Sequence, residues 1–536
     1  MRKQLFLTLC GLALSLAALA QGPRVTVRSG VLEGIDSSGV KIFRGIPFAQ
    51  PPVGRLRWQA PQPLEAWQGV RQAKDFGPNP IQFNVYGDMV FGSPVNSEDC
   101  LYLNVWTPAR QMNENLPVLL YFNGGGLMSG SGSEPRYQGL TLARRGIIVV
   151  TANYREGIFG FFAHPQLSKE TSYHGSGNYG FMDQAAAIQW VKNNISAFGG
   201  DPNRLTIVGE SAGSMSVSAL MASPMSRHLI NQVMGSSGSV VGPRPVLTLK
   251  EAEKNGETWA RKHGFKSIKD LRALPADKLN SIAEFNGVPG YCVDGKFFTE
   301  HPLDTYRKGE QAQVPALIGH NNTEMPVMAY MKGMAPTLEN LKKAIPSMFG
   351  PRADAEKLLR LYNIKSDADV VGLPGYAMGG SIFITYGTWK WTDLLRQTST
   401  KPVYRYVYNH PRPQFKVVGK APGLAGGTVD NAQKAPVHRD LGAVHSADIE
   451  YAMGNLATNS MFDWGKNDYQ MSEIFQSVYL NFVKTGNPNG LGMPRWDAVN
   501  GWQGALPVMH LDLNSRQVAD PQIEELNHYL DELFIK

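Results

Sequence analysis

The sequence predicts an α/β fold with a large, mostly parallel central sheet flanked by helices, and three observations carry that prediction. Short apolar, β-branched runs suited to buried strands recur at Leu101–Trp106, Val118–Phe122, Ile147–Ala152, Leu205–Val208, Val314–Ile318 and Val403–Tyr408. Helix-compatible runs separate them, of which Asp183–Ile195 and Asp468–Val483 are the clearest. Two of the strands run directly into glycine-rich turns, the arrangement that places loops with chemical roles at one end of a sheet. Ahead of them, Val25 to Arg44 reads as a small β-hairpin region.

The sharper of the two turns is Gly209-Glu210-Ser211-Ala212-Gly213, which follows the strand Leu205–Val208 and opens a helix from Ala212 to Ala222. Glycine makes up 56 of 536 residues, so G-x-S-x-G by itself arises by chance in such a chain. The strand before it and the helix after it give it weight. A serine on so tight a bend has strained backbone angles, and side chains two residues to either side of it would collide. Gly209 and Gly213 relieve that crowding. The helix that starts beside Ser211 aims free N–H groups and a positive dipole end at any oxyanion formed there.

The second turn, Asn123-Gly124-Gly125-Gly126-Leu127, follows Val118–Phe122. Three consecutive glycines let backbone N–H groups approach a substrate oxygen without side-chain obstruction, as an acyl-transfer site requires. A phosphate-cradling loop is the competing reading. No G-x-x-x-x-G-K-[ST] follows and no lysine lies near, which disfavours it.

These residues resemble the type-B carboxylesterases, the α/β-hydrolase family that also contains the cholinesterases, and in appearance the secreted bacterial carboxylesterases above all. Phe198 to Gly213 fits the family's serine signature position by position, and Glu98 to Pro108 fits its second signature. Further family-like runs are FRGIPFAQPPVGRLRW from Phe43, TANYREGIFGF from Thr151, GNYGFMDQAAAIQWVKNNI from Gly177 and GNPNGLGMPRWD from Gly486. The resemblance implies an α/β-hydrolase fold and a serine esterase working through an acyl-enzyme on Ser211. It names His445, in Gly442-Ala443-Val444-His445, as the base, and Glu324, after the strand Val314–Ile318, as the acid. It carries over the N–H groups of Gly125, Gly126 and Ala212 as oxyanion donors.

Three further residues follow from the resemblance. Ser237 matches a serine that supports the acid, with a simple loop serine as its alternative reading. Glu210 matches a buried glutamate near the histidine, whose side chain should point away from the nucleophile. Leu127 replaces the aromatic residue that usually follows the glycine loop, which would enlarge the acyl side of the substrate pocket. Three departures from the family pattern stand out: Thr323 and Met325 flank the acid, and Asp448 stands where a glutamate is usual. The chain order serine, acid, histidine is that of the fold. Among the other histidines, His410 and His438 read as solvated loop residues.

Catalytic residues spread from position 124 to 445 argue for one catalytic domain over 21–536, with the segments 240–312 and 326–400 as insertions over the site. Residues 1–20 carry Arg2 and Lys3, then an apolar run ending in Ala18-Leu19-Ala20. That is a secretory signal with a cut after Ala20, and an exported, periplasmic or secreted protein is expected. The run is too short for a membrane anchor, and no other segment suits a bilayer. The net charge of +7 is scattered without a basic run, which gives nucleic-acid binding little support. No HExxH and no Cys/His ligand spacing occurs, so neither a metal nor another cofactor is implied. Cys100 and Cys292 read as buried thiols, with a bridge between them left open. The sequons at Asn194 and Asn321 read as silent. Small-molecule esters are the expected partners, and oligomeric state is not readable. A lipase, amidase or thioesterase with the same triad, or a catalytically silent binding protein of the same fold, are the alternatives. Choline esters are disfavoured because Met89, Val90 and Phe91 stand where a cholinesterase carries its tryptophan.

Overall fold

The computed structural model describes residues 22–83, 85–283, 290–431, 440–519 and 521–535. The expected signal, residues 1–20, lies outside them. Eleven strands form one sheet. In chain order they are β1 Ile35–Ser37, β2 Val40–Pro47, β3 Tyr102–Thr107, β4 Leu116–Phe122, β5 Ile148–Ala152 and β6 Gly200–Glu210, followed by β7 Gln232–Ser236, β8 Ala316–Asn321, β9 Val403–Tyr408, β10 Pro507–Leu511 and β11 Arg516–Ala519. Across the sheet the order is β11-β10-β9-β8-β7-β6-β4-β5-β3-β2-β1. Pairings from β5 through β10 are parallel, while β1, β2, β3 and β11 add antiparallel margins.

Alternation along β4 shows why the sheet is buried on both faces. Val118, Leu120 and Phe122 enter a core shared with α1 (Tyr179–Asn194) and α2 (Ala212–Ala222), whereas Leu119 and Tyr121 face a second core shared with α3 (Lys466–Thr485). A parallel strand covered on both sides reads as a continuous apolar run, which is how β4 and β5 stood out in the sequence. Two strands were not legible in that way. β7 (QVMGS) holds only two strongly apolar residues, and a Cβ on its Gly235 would lie 2.3 Å from the Trp391 ring, so neighbours rather than composition place it in the sheet. β10 pairs with β9 only through residues distant in sequence.

The N-terminal hairpin region divides. Gly30–Glu33 pairs with Arg24–Val27 on one side and Val70–Gln72 on the other in a separate small sheet, while β1 and β2 extend the main one. Helices within 326–400 pack with α4 (Pro521–Phe534) around a third core containing Leu341, Leu358, Met378, Tyr386 and Leu530. No helix among the described residues is long and apolar enough to cross a membrane.

Candidate active site

Strand β6 ends at Glu210 and α2 begins at Ala212, which leaves Ser211 alone on the bend with φ 57° and ψ −123°. L side chains rarely adopt that conformation, and it persists only where the surroundings over-determine it. The Ser211 N–H donates to Ser236 O at 2.8 Å, extending the β6–β7 ladder into the turn. The crowding across the turn is met at Gly209, while Gly213 is crowded by the neighbouring strand β4. A Cβ on Gly209 would lie 2.3 Å from Gly213 C, and one on Gly213 would lie 2.2 Å from Phe122 O.

His445 joins three segments that lie far apart in sequence. Its Nε2 is 2.9 Å from Ser211 Oγ and its Nδ1 is 2.6 Å from Glu324 Oε2. Glu324 Oε1 in turn accepts from Ser237 Oγ at 2.5 Å and from the Asn321 N–H at 2.7 Å. Ser237 therefore touches the acid rather than standing as a loop serine. The loops bearing acid and base are tied together: the Thr323 N–H donates to Ala443 O at 3.0 Å, and the Ala443 N–H donates to Asn322 Oδ1 at 2.8 Å. Thr323 and Ala443 are almost fully buried, so the bonds that join the two loops are shielded from water.

Electrostatics assign these groups opposite states. Burial alone would raise the Glu324 carboxyl, but His445 beside it and the Ser237 hydroxyl outweigh burial and hold it below the ordinary carboxylate value. Burial pulls His445 down. The Glu210 and Glu324 carboxylates pull harder, and the imidazole is pushed up to about 9. Glu210 Oε1 lies 3.4 Å from His445 Nε2, and no hydrogen bond satisfies that oxygen. Burial is the main force on this glutamate and raises it to about 8. Asp448, where the family pattern has glutamate, accepts from Ser236 Oγ at 2.5 Å and from Asn321 Nδ2 at 3.0 Å. It thereby ties the end of β7 to the end of β8, and burial raises its carboxyl.

The glycine loop leaves β4 at the same end of the sheet. Gly125 and Gly126 have φ of +107° and +70°, and a Cβ on Gly125 would lie 1.6 Å from Ser129 O. Gly124 packs against the nucleophile, where a Cβ would lie 3.1 Å from Ser211 Cβ. The loop is braced from below: Tyr154 Oη donates to Asn123 O at 3.0 Å and the Gly157 N–H donates to Leu127 O at 2.8 Å. Among the described residues, the N–H groups of Gly125, Gly126 and Ala212 have no hydrogen-bond acceptor. Gly126 and Ala212 line one cavity with Ser211, and unpaired backbone donors beside a hydroxyl are the elements of an oxyanion site.

Leu127 departs from the expectation. Its φ of +63° turns the side chain into the core, where it is 5 % exposed, and Met128 lines the cavity beside Ser211 instead. That cavity has a volume of about 280 Å³. Its walls come from both long segments: Gly242, Pro243 and Arg244 from one, Phe383 and Gly387 from the other. A π-helical turn at Ser381–Thr385 aims Phe383 at His445, edge to face with ring centroids 4.8 Å apart.

Several residues of the site escaped the sequence reading. Tyr86, Arg244 and Phe383 carry no motif, and Ser236 and Asn321 gain meaning only through Asp448. His410 is not solvated: it is 5 % exposed and its Nε2 is 3.1 Å from Asp468 Oδ1, a structural contact remote from Ser211. The two prolines beside it, Pro411 and Pro413, suggested a loop, but the Tyr451 ring and the Asp468 carboxylate enclose it. His438 lies outside the described residues. Cys100 and Cys292 are separate buried thiols. Asn194 and Asn321 are both buried and hydrogen-bonded through their amides, so neither offers a glycan an outlet. Among the described residues no cluster of His, Cys, Asp and Glu is arranged to hold a metal ion.

Comparison with known proteins agrees with the geometry. The sequence model of the carboxylesterase family matches residues 21–528. The chain is 34% identical over 509 residues to the fumonisin B1 esterase of Sphingopyxis macrogoltabida, covering 90% of this chain and 86% of that protein. It is 31% identical to the para-nitrobenzyl esterase of Bacillus subtilis (strain 168), over 93% of this chain and 95% of that one. A crystal structure of a carboxylesterase from Geobacillus stearothermophilus superposes with a TM-score of 0.78 at 29% identity, covering 95% of this chain and 99% of that one. Together with a serine, histidine and glutamate in one hydrogen-bonded line, these matches establish that the chain belongs to the carboxylesterase family, enzymes of the α/β-hydrolase fold that hydrolyse carboxylic esters through an acyl-enzyme.

Proposed function

We propose that Ser211 is the nucleophile, His445 the general base and acid, and Glu324 the carboxylate that orients it. The observation that carries this reading is the position of His445, bonded through one ring nitrogen to Ser211 Oγ and through the other to Glu324. In the first step His445 Nε2 accepts the hydroxyl proton as Oγ attacks the ester carbonyl. The N–H groups of Gly125, Gly126 and Ala212 hold the oxyanion of the tetrahedral intermediate. His445 then protonates the departing alcohol, and water repeats the sequence to release the acid and regenerate Ser211. Glu324 stays ionised and fixes the ring so that Nε2 faces Oγ. Small-molecule esters are the substrates that a cavity of this size accepts.

Hydrolysis of p-nitrophenyl acetate and butyrate by the mature protein, beside its Ser211→Ala variant, tests this reading. Activity in the first and its loss in the second supports it. Equal rates in both would overturn it.

We further infer that the protein is exported, on the basis of Arg2 and Lys3, the apolar run behind them and the Ala18-Leu19-Ala20 sequence before Gln21. Protein recovered from periplasm or medium should begin at Gln21, and a cytosolic product that keeps residues 1–20 would refute export.

A further inference from the structure

Arg244 lines the rim of the cavity that contains Ser211, and its side chain is exposed. Among the described residues, no carboxylate and no hydrogen bond engages its guanidinium. Glu210, Glu156 and Asp88 act on Tyr86, but none of the three lines the cavity beside Arg244. Arg244 is the one charged side chain among the described residues that line this otherwise largely apolar chamber, walled by Met128, Met215 and Phe383. Tyr86 lines the same chamber, with its hydroxyl 3.1 Å from the point where a Cβ on Gly126 would sit. Burial keeps that phenol protonated while the nearby Arg244 charge acts in the opposite direction, so the hydroxyl remains a donor. A cation and a phenol donor beside the glycine loop, in a cavity lined by no carboxylate among the described residues, make a receptor for an anionic group.

We propose that the preferred substrates are esters carrying a free carboxylate, such as half-esters of dicarboxylic acids, and that Arg244 binds that carboxylate with a hydrogen bond from Tyr86. The inference rests on the esterase reading above and adds the chemical class of the ester. A neutral alkyl ester would occupy the chamber without engaging the guanidinium. An acidic one pairs with it and is held with its scissile carbonyl at Ser211.

The test compares 4-nitrophenyl hydrogen adipate with 4-nitrophenyl hexanoate, which have acyl chains of the same length and differ in one terminal carboxylate. The quantity read is the ratio of their kcat/KM values in the wild-type protein, Arg244→Gln, Arg244→Lys and Tyr86→Phe. The Arg244→Gln ratio should fall about tenfold or more, chiefly through KM of the adipate ester. Arg244→Lys should restore part of the loss, and Tyr86→Phe should show a smaller fall. Raising the salt from ~0.05 to ~0.5 M should shrink the wild-type preference, because an exposed guanidinium is screened. A ratio unchanged by Arg244→Gln, with hexanoate hydrolysed, overturns this inference and leaves the esterase reading standing. Failure of the wild-type protein to hydrolyse either ester overturns both.

Discussion

At His445 two opposed forces set the working pH. Burial favours the neutral ring, while Glu210 and Glu324 favour the charged one and prevail, so the ring keeps its proton to about pH 9. The fraction of ring in the base form rises with pH up to that pKa, and the rate on an uncharged ester should therefore climb with pH through neutrality. Burial raises Glu210 as well, to about 8, and a protonated Glu210 lends the ring less charge than an ionised one. The midpoint of kcat/KM against pH is thus expected between the ordinary 6.5 and about 9. Replacing Glu210 by glutamine removes one of the two carboxylates and should move that midpoint down. A midpoint that does not move would discharge Glu210 from this role. Glu324→Gln leaves the shape but loses the charge that supports the imidazolium, and kcat should drop about 10⁴-fold. A loss under tenfold would mean that another group serves as the acid.

The element that makes the site is the β6 to α2 junction, and its requirements are steric. Gly213 has no room for a methyl group because Phe122 O lies 2.2 Å from where it would sit, and backbone cannot retreat as a side-chain end can. Gly213→Ala should lower the unfolding free energy by about 1–3 kcal/mol in a urea titration and reduce turnover by displacing Ser211. Stability within about 0.5 kcal/mol of the parent would show that the turn has slack. Below the glycine loop, Arg155 and Asp183 form a bidentate pair at 2.7 and 2.8 Å that joins the segment after β5 to α1. Both side chains are almost fully buried. Arg155→Met strands the carboxylate and should cost about 3–5 kcal/mol. The double replacement of both partners by apolar residues should recover much of that loss in the same titration.

At the scale of the whole molecule, the C-terminal helix α4 closes the third core, and Arg405 on β9 donates to Glu524 Oε1 at 2.9 Å to anchor it on the sheet. Leu530 is fully buried there. Leu530→Ala should destabilise the protein by about 2–5 kcal/mol in equilibrium unfolding. A cost below about 1 kcal/mol would mean that α4 is dispensable to that core.

What the sequence by itself determined is what depends on near neighbours. The strand, bend and helix at Ser211 follow from Leu205 to Ala222, and the need for Gly209 follows from a collision across four residues, whereas Gly213 is crowded by Phe122 on a strand distant in sequence. The open glycine loop is equally local. The family pattern supplied His445 and Glu324, which no spacing rule links to Ser211. The tertiary structure alone decided the rest. β7 and β10 owe their pairing to partners elsewhere in the chain, Asp448 gains its role from Ser236 and Asn321, and Leu127 turns inward while Met128 takes its place. Arg244, Tyr86 and Phe383 meet at one chamber from segments separated by more than a hundred residues, and only long-range packing, which no local pattern encodes, brings them there.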